Sequence, residues 1–142
     1  MILSEAITFA LTGPPEGKAR ARSVRSKGSI RHYTPTATRS YEDLIRHYAS
    51  QEMKGREPTI QPVSMTLTAV FEVPRSWSKA KRAMALNNNL RPTGKPDLDN
   101  IYKAFADGMN HVVYRDDSQI VHSVFAKVYG VEPRVVVTVK PL

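Results

Sequence analysis

Val63-Ser64-Met65-Thr66-Leu67-Thr68-Ala69-Val70-Phe71-Glu72-Val73 is the stretch on which the fold turns. Val63, Met65, Leu67, Ala69, Phe71 and Val73 alternate with Ser64, Thr66, Thr68 and Glu72. Alternate residues of an extended chain share a face, so this is a strand with one side against a core. Upstream, Ile7, Phe9 and Leu11 alternate with Thr8, Ala10 and Thr12, a second strand that Gly13-Pro14-Pro15 ends. Between the two, Tyr41, Leu44, Ile45, Tyr48, Ala49 and Met53 recur at the spacing of one helical face, with Thr34 or Thr36 as N-cap beside Pro35 and Gly55 and Pro58 as stops.

Downstream, a short helix from Ser78 to Leu86 is capped near Ser76 or Ser78 and gives way to a polar loop, Asn87-Asn88-Asn89 and then Pro92-Thr93-Gly94. A further helix starts at Asp99 and repeats Ile101, Phe105 and Met109 every four residues, a face suited equally to a core or to a subunit interface. Two strands, over residues 119–129 and 134–140, flank Gly130-Val131-Glu132-Pro133, and their closeness predicts a hairpin. Residues 16–33 have no clear period and read as a long basic loop or irregular hairpin. Trp77 reads as a core anchor, with a base-stacking wedge as the alternative. The order of elements predicts one α+β domain over residues 1–142, a small mixed sheet of about four strands with helices packed on it.

A chain of 142 residues buries enough surface to fold without staples. It has no cysteine, so a metal would need oxygen or imidazole ligands, and a reducing cytoplasm is the compartment that fits. No apolar run is long enough to span a bilayer, and Met1-Ile2-Leu3-Ser4-Glu5 lacks the basic and apolar regions of a signal peptide, so the expectation is a protein that is neither exported nor membrane-bound. The net charge of +8 points to a polyanionic partner. Lys18, Arg20, Arg22, Arg25, Lys27, Arg31 and Arg39 follow one another with no acid within Lys18–Arg39, whereas Asp97, Asp99, Asp107, Asp116 and Asp117 fall close together later. That layout suits a protein that holds a phosphate backbone and sets a metal against it. A solvated basic loop or an RNA-binding surface accounts equally well for the charge taken alone.

The chemistry concentrates between Lys95 and Gln119. Pro96 biases Lys95 toward extended backbone, and residues two apart in an extended segment point the same way, so Asp97 and Asp99 can address one point in space. Mg²⁺ takes oxygen ligands, with a few carboxylates completed by substrate phosphate and water. A third acid, Asp116 or Asp117, returns one helix later. Lys103 follows Asp99 by four residues, on nearly the same helical face, where an ammonium can steady carboxylates or offset charge at a reacting phosphate. Taken singly, Asp99 as an N-cap, Asp116-Asp117 as a turn and Lys103 with Asp107 as a surface ion pair are the plainer readings.

Taken together, Asp97-Leu98-Asp99-Asn100, Lys103, Asp107 and Asp116-Asp117 with Gln119-Ile120-Val121 resemble the central pattern of the RusA-like Holliday-junction endonucleases of bacteria and their phages. Gly13-Pro14-Pro15 followed by Lys18-Ala19-Arg20-Ala21-Arg22 is similar to the family's basic segment after the first strand. The resemblance implies that Asp97, Asp99 and Asp117 are metal-binding catalytic acids with Asp116 as a less certain neighbour, and that Lys103 is the catalytic lysine. It further implies Mg²⁺ or Mn²⁺ as cofactor, a homodimer of α+β subunits, and symmetric cutting of a four-way DNA junction, in a bacterial or phage-infected cytoplasm. Lys18, Arg20, Arg22, Arg25 and Arg31 are the expected phosphate contacts. Two alternatives stand beside this: a restriction-type nuclease acting on linear duplex, which would want a lysine where Gln119 lies unless Lys103 substitutes from the helix, and a non-catalytic nucleic-acid-binding protein whose acids are caps and turns.

Overall fold

The computed structural model describes residues 3, 5–18, 22–26, 29–33 and 36–142, with the backbone alone for 22–26, 29–33 and 37–38. Its elements are β1 (Ile7–Thr12), β2 (Arg22–Ser26), β3 (Ser29–Tyr33), α1 (Thr36–Met53), β4 (Val63–Glu72), α2 (Lys79–Leu86), α3 (Leu98–Gly108), β5 (Ile120–Gly130) and β6 (Arg134–Pro141). Four strands form a mixed sheet in the order β1-β6-β4-β5, and β2 pairs with β3 as a separate antiparallel ribbon. This is the α+β architecture the patterning implies. The segment from 16 to 33, read as a loop or irregular hairpin, contains a paired hairpin in which Val24 opposes Arg31.

The alternation in β4 does what it predicts. Val63, Met65, Leu67 and Ala69 are fully buried, beside Val135, Val137 and Val139 of β6 and Ile7, Phe9 and Leu11 of β1. Register puts Phe9, Val137, Leu67 and Phe125 in one row across the sheet. Against this face lie Tyr41, Ile45, Ala49 and Met53 of α1 and Ile101, Ala104 and Phe105 of α3. Phe105 stacks on Phe9 at 6.4 Å and meets Tyr41 edge-on at 5.9 Å, so the apolar face of α3, with Met109 beyond it, is core and not interface.

The expected hairpin of the last two strands does not form. β5 pairs in parallel with β4, β6 pairs antiparallel with both β4 and β1, and β4 therefore lies between β5 and β6. Burial gives the reason: β6 alternates buried valines and belongs inside the sheet, whereas β5 is half-exposed along its length and belongs at an edge. The residues after Gly130 can bridge two strand spacings of roughly 4.8 Å each. Gly13 N–H donates to Pro133 O at 3.1 Å, tying that crossing to the end of β1.

Other boundaries differ in detail. Thr34 and Pro35 lie outside the described residues, and Thr36 opens α1. Ser78 caps α2, its hydroxyl accepting from Lys81 N–H at 3.2 Å. Trp77 is no core anchor: it is half-buried at the surface, edge-on to Tyr129 at 5.4 Å with the Lys81 ammonium 4.1 Å from its ring centre. Among the described residues no helix is long and apolar enough to cross a membrane.

Close packing of α1 on α3 depends on Gly108. A Cβ there would stand 2.8 Å from Ile45 Cγ2 and 2.9 Å from Ile45 Cβ, and Ile45 is fully buried. Gly108→Ala is expected to cost about 1–2 kcal/mol net, overpacking exceeding the gain in helix propensity. A urea midpoint equal to that of the wild type would show that the two helices separate freely.

Candidate active site

The connection from β4 to β5 carries the site. Because β4 and β5 run parallel, the chain must cross back through α2 and α3, and the two ends of that crossing hold the acids. Asp97 is the N-cap of α3, extended at φ −66° and ψ 148°, and its carboxylate makes no capping hydrogen bond. Asp99 lies in the first turn, where the helix N-terminus favours negative charge. Both are exposed, and neither joins an ion pair among the described residues.

Burial of Ile101, Ala104 and Phe105 turns the opposite stripe of α3 outward. Lys103 on that stripe does not bond back to Asp99. Its ammonium lies 3.1 Å from Asp107 Oδ1 and 3.1 Å from Asp117 Oδ2, so it joins the helix to the second acid cluster. Hydrogen bonds to Asp107 and Asp117 raise its pKa above the ordinary lysine value, and it stays an ammonium at neutral pH.

Asp117 opens a short 3-10 turn, Asp117–Gln119, directly before β5. Asp116 caps it: its Oδ2 accepts from Ser118 N–H at 3.0 Å, which holds its pKa below the usual carboxylate range. Gln119 anchors the turn from beneath. Its Oε1 accepts from the N–H groups of Arg115 at 2.9 Å and Asp116 at 3.0 Å, and its Nε2 donates to the carbonyls of Thr59 and Gln61, both at 2.9 Å. Those carbonyls immediately precede β4, the parallel neighbour of β5. Buried Tyr114 adds a bond from its hydroxyl to Ala106 O at 2.6 Å, securing the same turn to α3. Burial pushes the Tyr114 phenol far up, so it remains a donor.

Asp107 accepts a second lysine. Lys18 lies 2.5 Å from Asp107 Oδ2 and 3.1 Å from Glu42 Oε1. Burial pushes the Asp107 carboxyl up, but hydrogen bonds from Lys18 and Lys103 outweigh it and hold the group below the ordinary value. The Glu42 contact is an ion pair without an aligned hydrogen bond, since Glu42 Oε1 is buried and has no directed donor. Lys18 N–H also donates to Asn100 O at 3.0 Å, and a Cβ on Gly17 would stand 2.9 Å from that of Asn100. The loop after β1 is thus pressed against the start of α3. Between them is an open groove of about 420 Å³ lined by Lys18, Lys95, Pro96, Asp97 and Asn100, among others. Lys127 of β5 braces the far side of the Asp97 loop, donating to Gly94 O at 2.5 Å and Pro96 O at 3.0 Å.

Set against the expectations, Asp117 and Lys103 come together, with Asp107 as a third partner. Asp97 and Asp99 share one turn at the other end of the stripe. As the side chains are placed, no three acidic or histidine residues among those described are grouped tightly enough to enclose an ion. The donors themselves fit Mg²⁺, which is held by one or two carboxylates with water and phosphate filling the remaining positions. Among the described residues Asp97 and Asp99 offer carboxylates outside any ion pair, and Asp117 has a second oxygen beyond the one that meets Lys103. Of the basic residues, Arg20 lies outside the described residues, and Arg22, Arg25 and Arg31 have their backbones in the β2–β3 ribbon. Gln119, Glu42 and Lys127 were not singled out by the sequence as site-building residues. Most of their partners are far away in the chain, but Gln119 also accepts from the N–H groups of Arg115 and Asp116, and its place three residues after Asp116 was the local signal of a capping box.

Outward carboxylates and an ammonium on a small α+β domain with a basic segment are the groups that a metal-dependent nucleic-acid-cutting enzyme requires. Residues 12–140 match the family model of endodeoxyribonuclease RusA, and the chain belongs to that family. It is also 36% identical over 140 residues to the uncharacterized protein YqaN of Bacillus subtilis (strain 168), covering 96% of each chain. The resemblance noted in the motif is thereby extended to nearly the whole length.

Proposed function

We propose that this endodeoxyribonuclease resolves Holliday junctions by Mg²⁺-dependent hydrolysis of phosphodiesters in two opposed strands. The observation that carries the reading is the Lys103–Asp117 contact, which ties the acid before β5 to α3, the helix whose N-terminus carries Asp97 and Asp99. Membership of the RusA family supports the same chemistry.

In this reading Asp97, Asp99 and Asp117 hold the metal, with Asp116 at its margin and Mn²⁺ as a substitute. When bound, the metal supplies Lewis acidity and an activated water. Water adds to phosphorus, the bond to the 3′ oxygen breaks, and a 5′ phosphate and a 3′ hydroxyl result. Lys103 offsets the negative charge that grows on the phosphate oxygens as the bond breaks. Arg20, Arg22, Arg25 and Arg31 hold the junction arms by their phosphates and orient the DNA without reading bases. Each subunit has one such cluster, and a two-fold junction has two equivalent cutting positions, so the active form is a homodimer. The setting is DNA recombination and repair in a bacterial or phage-infected cytoplasm.

The decisive experiment incubates the full chain with a labelled four-way junction and with linear duplex of the same sequence, with and without Mg²⁺. Paired nicks at symmetric positions in the junction alone are expected. Equal cutting of the linear duplex would favour the restriction-type alternative. Binding without product in any metal would favour the non-catalytic one. In the restriction-type alternative Lys103 of α3, which reaches Asp117, would stand in for the strand lysine, because the Gln119 amide is spent on the carbonyls of Thr59 and Gln61.

A further inference from the structure

Five charged groups from four segments form an unbroken chain: Glu42 of α1, Lys18 after β1, Asp107 and Lys103 of α3, and Asp117 before β5. Its two ends differ. Lys103 is half-exposed, and a lone lysine–aspartate pair four residues apart on a helix surface holds neither side chain firmly. Asp107 and Glu42 have side chains only 16% and 17% exposed, and both oxygens of Asp107 are taken, each by a different lysine. The inner end is therefore the fixed one. Without Lys18, the carboxylates of Asp107 and Glu42 would lose the ammonium they share, and Asp107 would compete with Asp117 for Lys103.

We propose that Lys18 and Asp107 are positioning residues that hold the Lys103 ammonium against Asp117, and that Lys18 is an internal strut and not a phosphate contact. The proposal rests on the reading above, in which Lys103 acts at the cutting site. It reassigns one residue of the basic segment. Lys18 leaves the group of DNA contacts because its ammonium is already neutralised by two carboxylates and its backbone is bound to Asn100.

The test compares full-length Lys18→Met, Lys18→Arg and Asp107→Asn with the wild type. Two quantities are read: the single-turnover cutting rate at saturating four-way junction in Mg²⁺, and the dissociation constant for the same junction without metal. Lys18→Met and Asp107→Asn are expected to cut about 10–100-fold more slowly, the usual scale for losing a group that orients a site residue. Binding should change by less than about twofold, since no phosphate contact is lost. Lys18→Arg should recover most of the rate. Weaker binding with an unchanged saturating rate would overturn the proposal and return Lys18 to the phosphate contacts. A second readout needs neither DNA nor metal: ¹⁵N spectra of the lysine ammonium groups, in which ion pairing slows proton exchange. The Lys103 signal should be visible in the wild type and lost in Lys18→Met and Asp107→Asn, and its persistence in both would equally overturn the strut. A wild-type chain that leaves junctions intact would instead sink the functional reading, and the ammonium spectra would then decide the strut by themselves.

Discussion

Asp97→Asn and Asp99→Asn are expected to cut a four-way junction at least 10²–10³-fold more slowly than the wild type, on the order of what an enzyme loses with one preorganised electrostatic group. Binding should go the other way. The carboxylates of both residues are exposed and outside the ion pairs of the site, so in metal-free buffer they repel the phosphates that the rest of the protein attracts. Removing one negative charge from a protein of net charge +8 should leave junction affinity equal or somewhat higher. Folding should be nearly untouched, because Asp97 makes no capping hydrogen bond that the amide would fail to replace. Asp117→Asn should share the loss of cutting, but it also removes a partner of Lys103, so some change in stability is expected there. Gel mobility with metal omitted, beside denaturing gels after Mg²⁺ addition, separates the two effects. Variants at Asp97 and Asp99 that still nick the junction at the wild-type rate would remove these residues from the metal site.

What could be read in advance, and what could not, follows from the range of each interaction. The alternation of β4 and β1 and the four-residue repeat of Ile101 and Phe105 are local, and they carried the core, the helices and their order. Strand adjacency is not local. The short link between β5 and β6 suggested a hairpin, but which strand stands between them is decided by where half-exposed β5 and alternately buried β6 can be accommodated. The site divides in the same way. Asp97, Asp99 and Lys103 could be named from spacing because an extended segment and a helix fix which neighbours share a face, whereas the choice of Asp117 over Asp116 came from the resemblance to the RusA-like pattern. The Lys103–Asp107 pair was also legible from its four-residue spacing, but that Lys103 reaches Asp117 and that Lys18 takes the other oxygen of Asp107 was not, since those partners lie 14 and 89 positions apart in the chain. Trp77 shows the opposite error: size alone suggested a core position, and the chain spends it on a surface contact between the start of α2 and β5.

Gln119 shows how far a site residue can lie from the chemistry. Its amide uses both donors and its acceptor oxygen twice, the donors on carbonyls 60 and 58 positions earlier in the chain. Glutamate at this position would keep the two accepted bonds and set its second oxygen against the carbonyls of Thr59 and Gln61, repelling where glutamine donates. Leucine would satisfy neither side. Each part-buried carbonyl left without a donor costs about 1–3 kcal/mol, so either change is expected to destabilise by about 2–4 kcal/mol. For a chain of this size that lowers the melting midpoint by on the order of 10 °C. Cutting should fall more than stability explains, because the turn that Gln119 anchors carries Asp117, and a carboxylate displaced by as little as an ångström no longer meets Lys103 or the metal in the required geometry. Rates measured well below the melting midpoint of each variant separate the two effects. A Gln119→Glu enzyme that is destabilised yet cuts junctions at the wild-type rate would mean that Asp117 is placed by Lys103 and Tyr114 alone, with the glutamine serving only the join between β4 and β5.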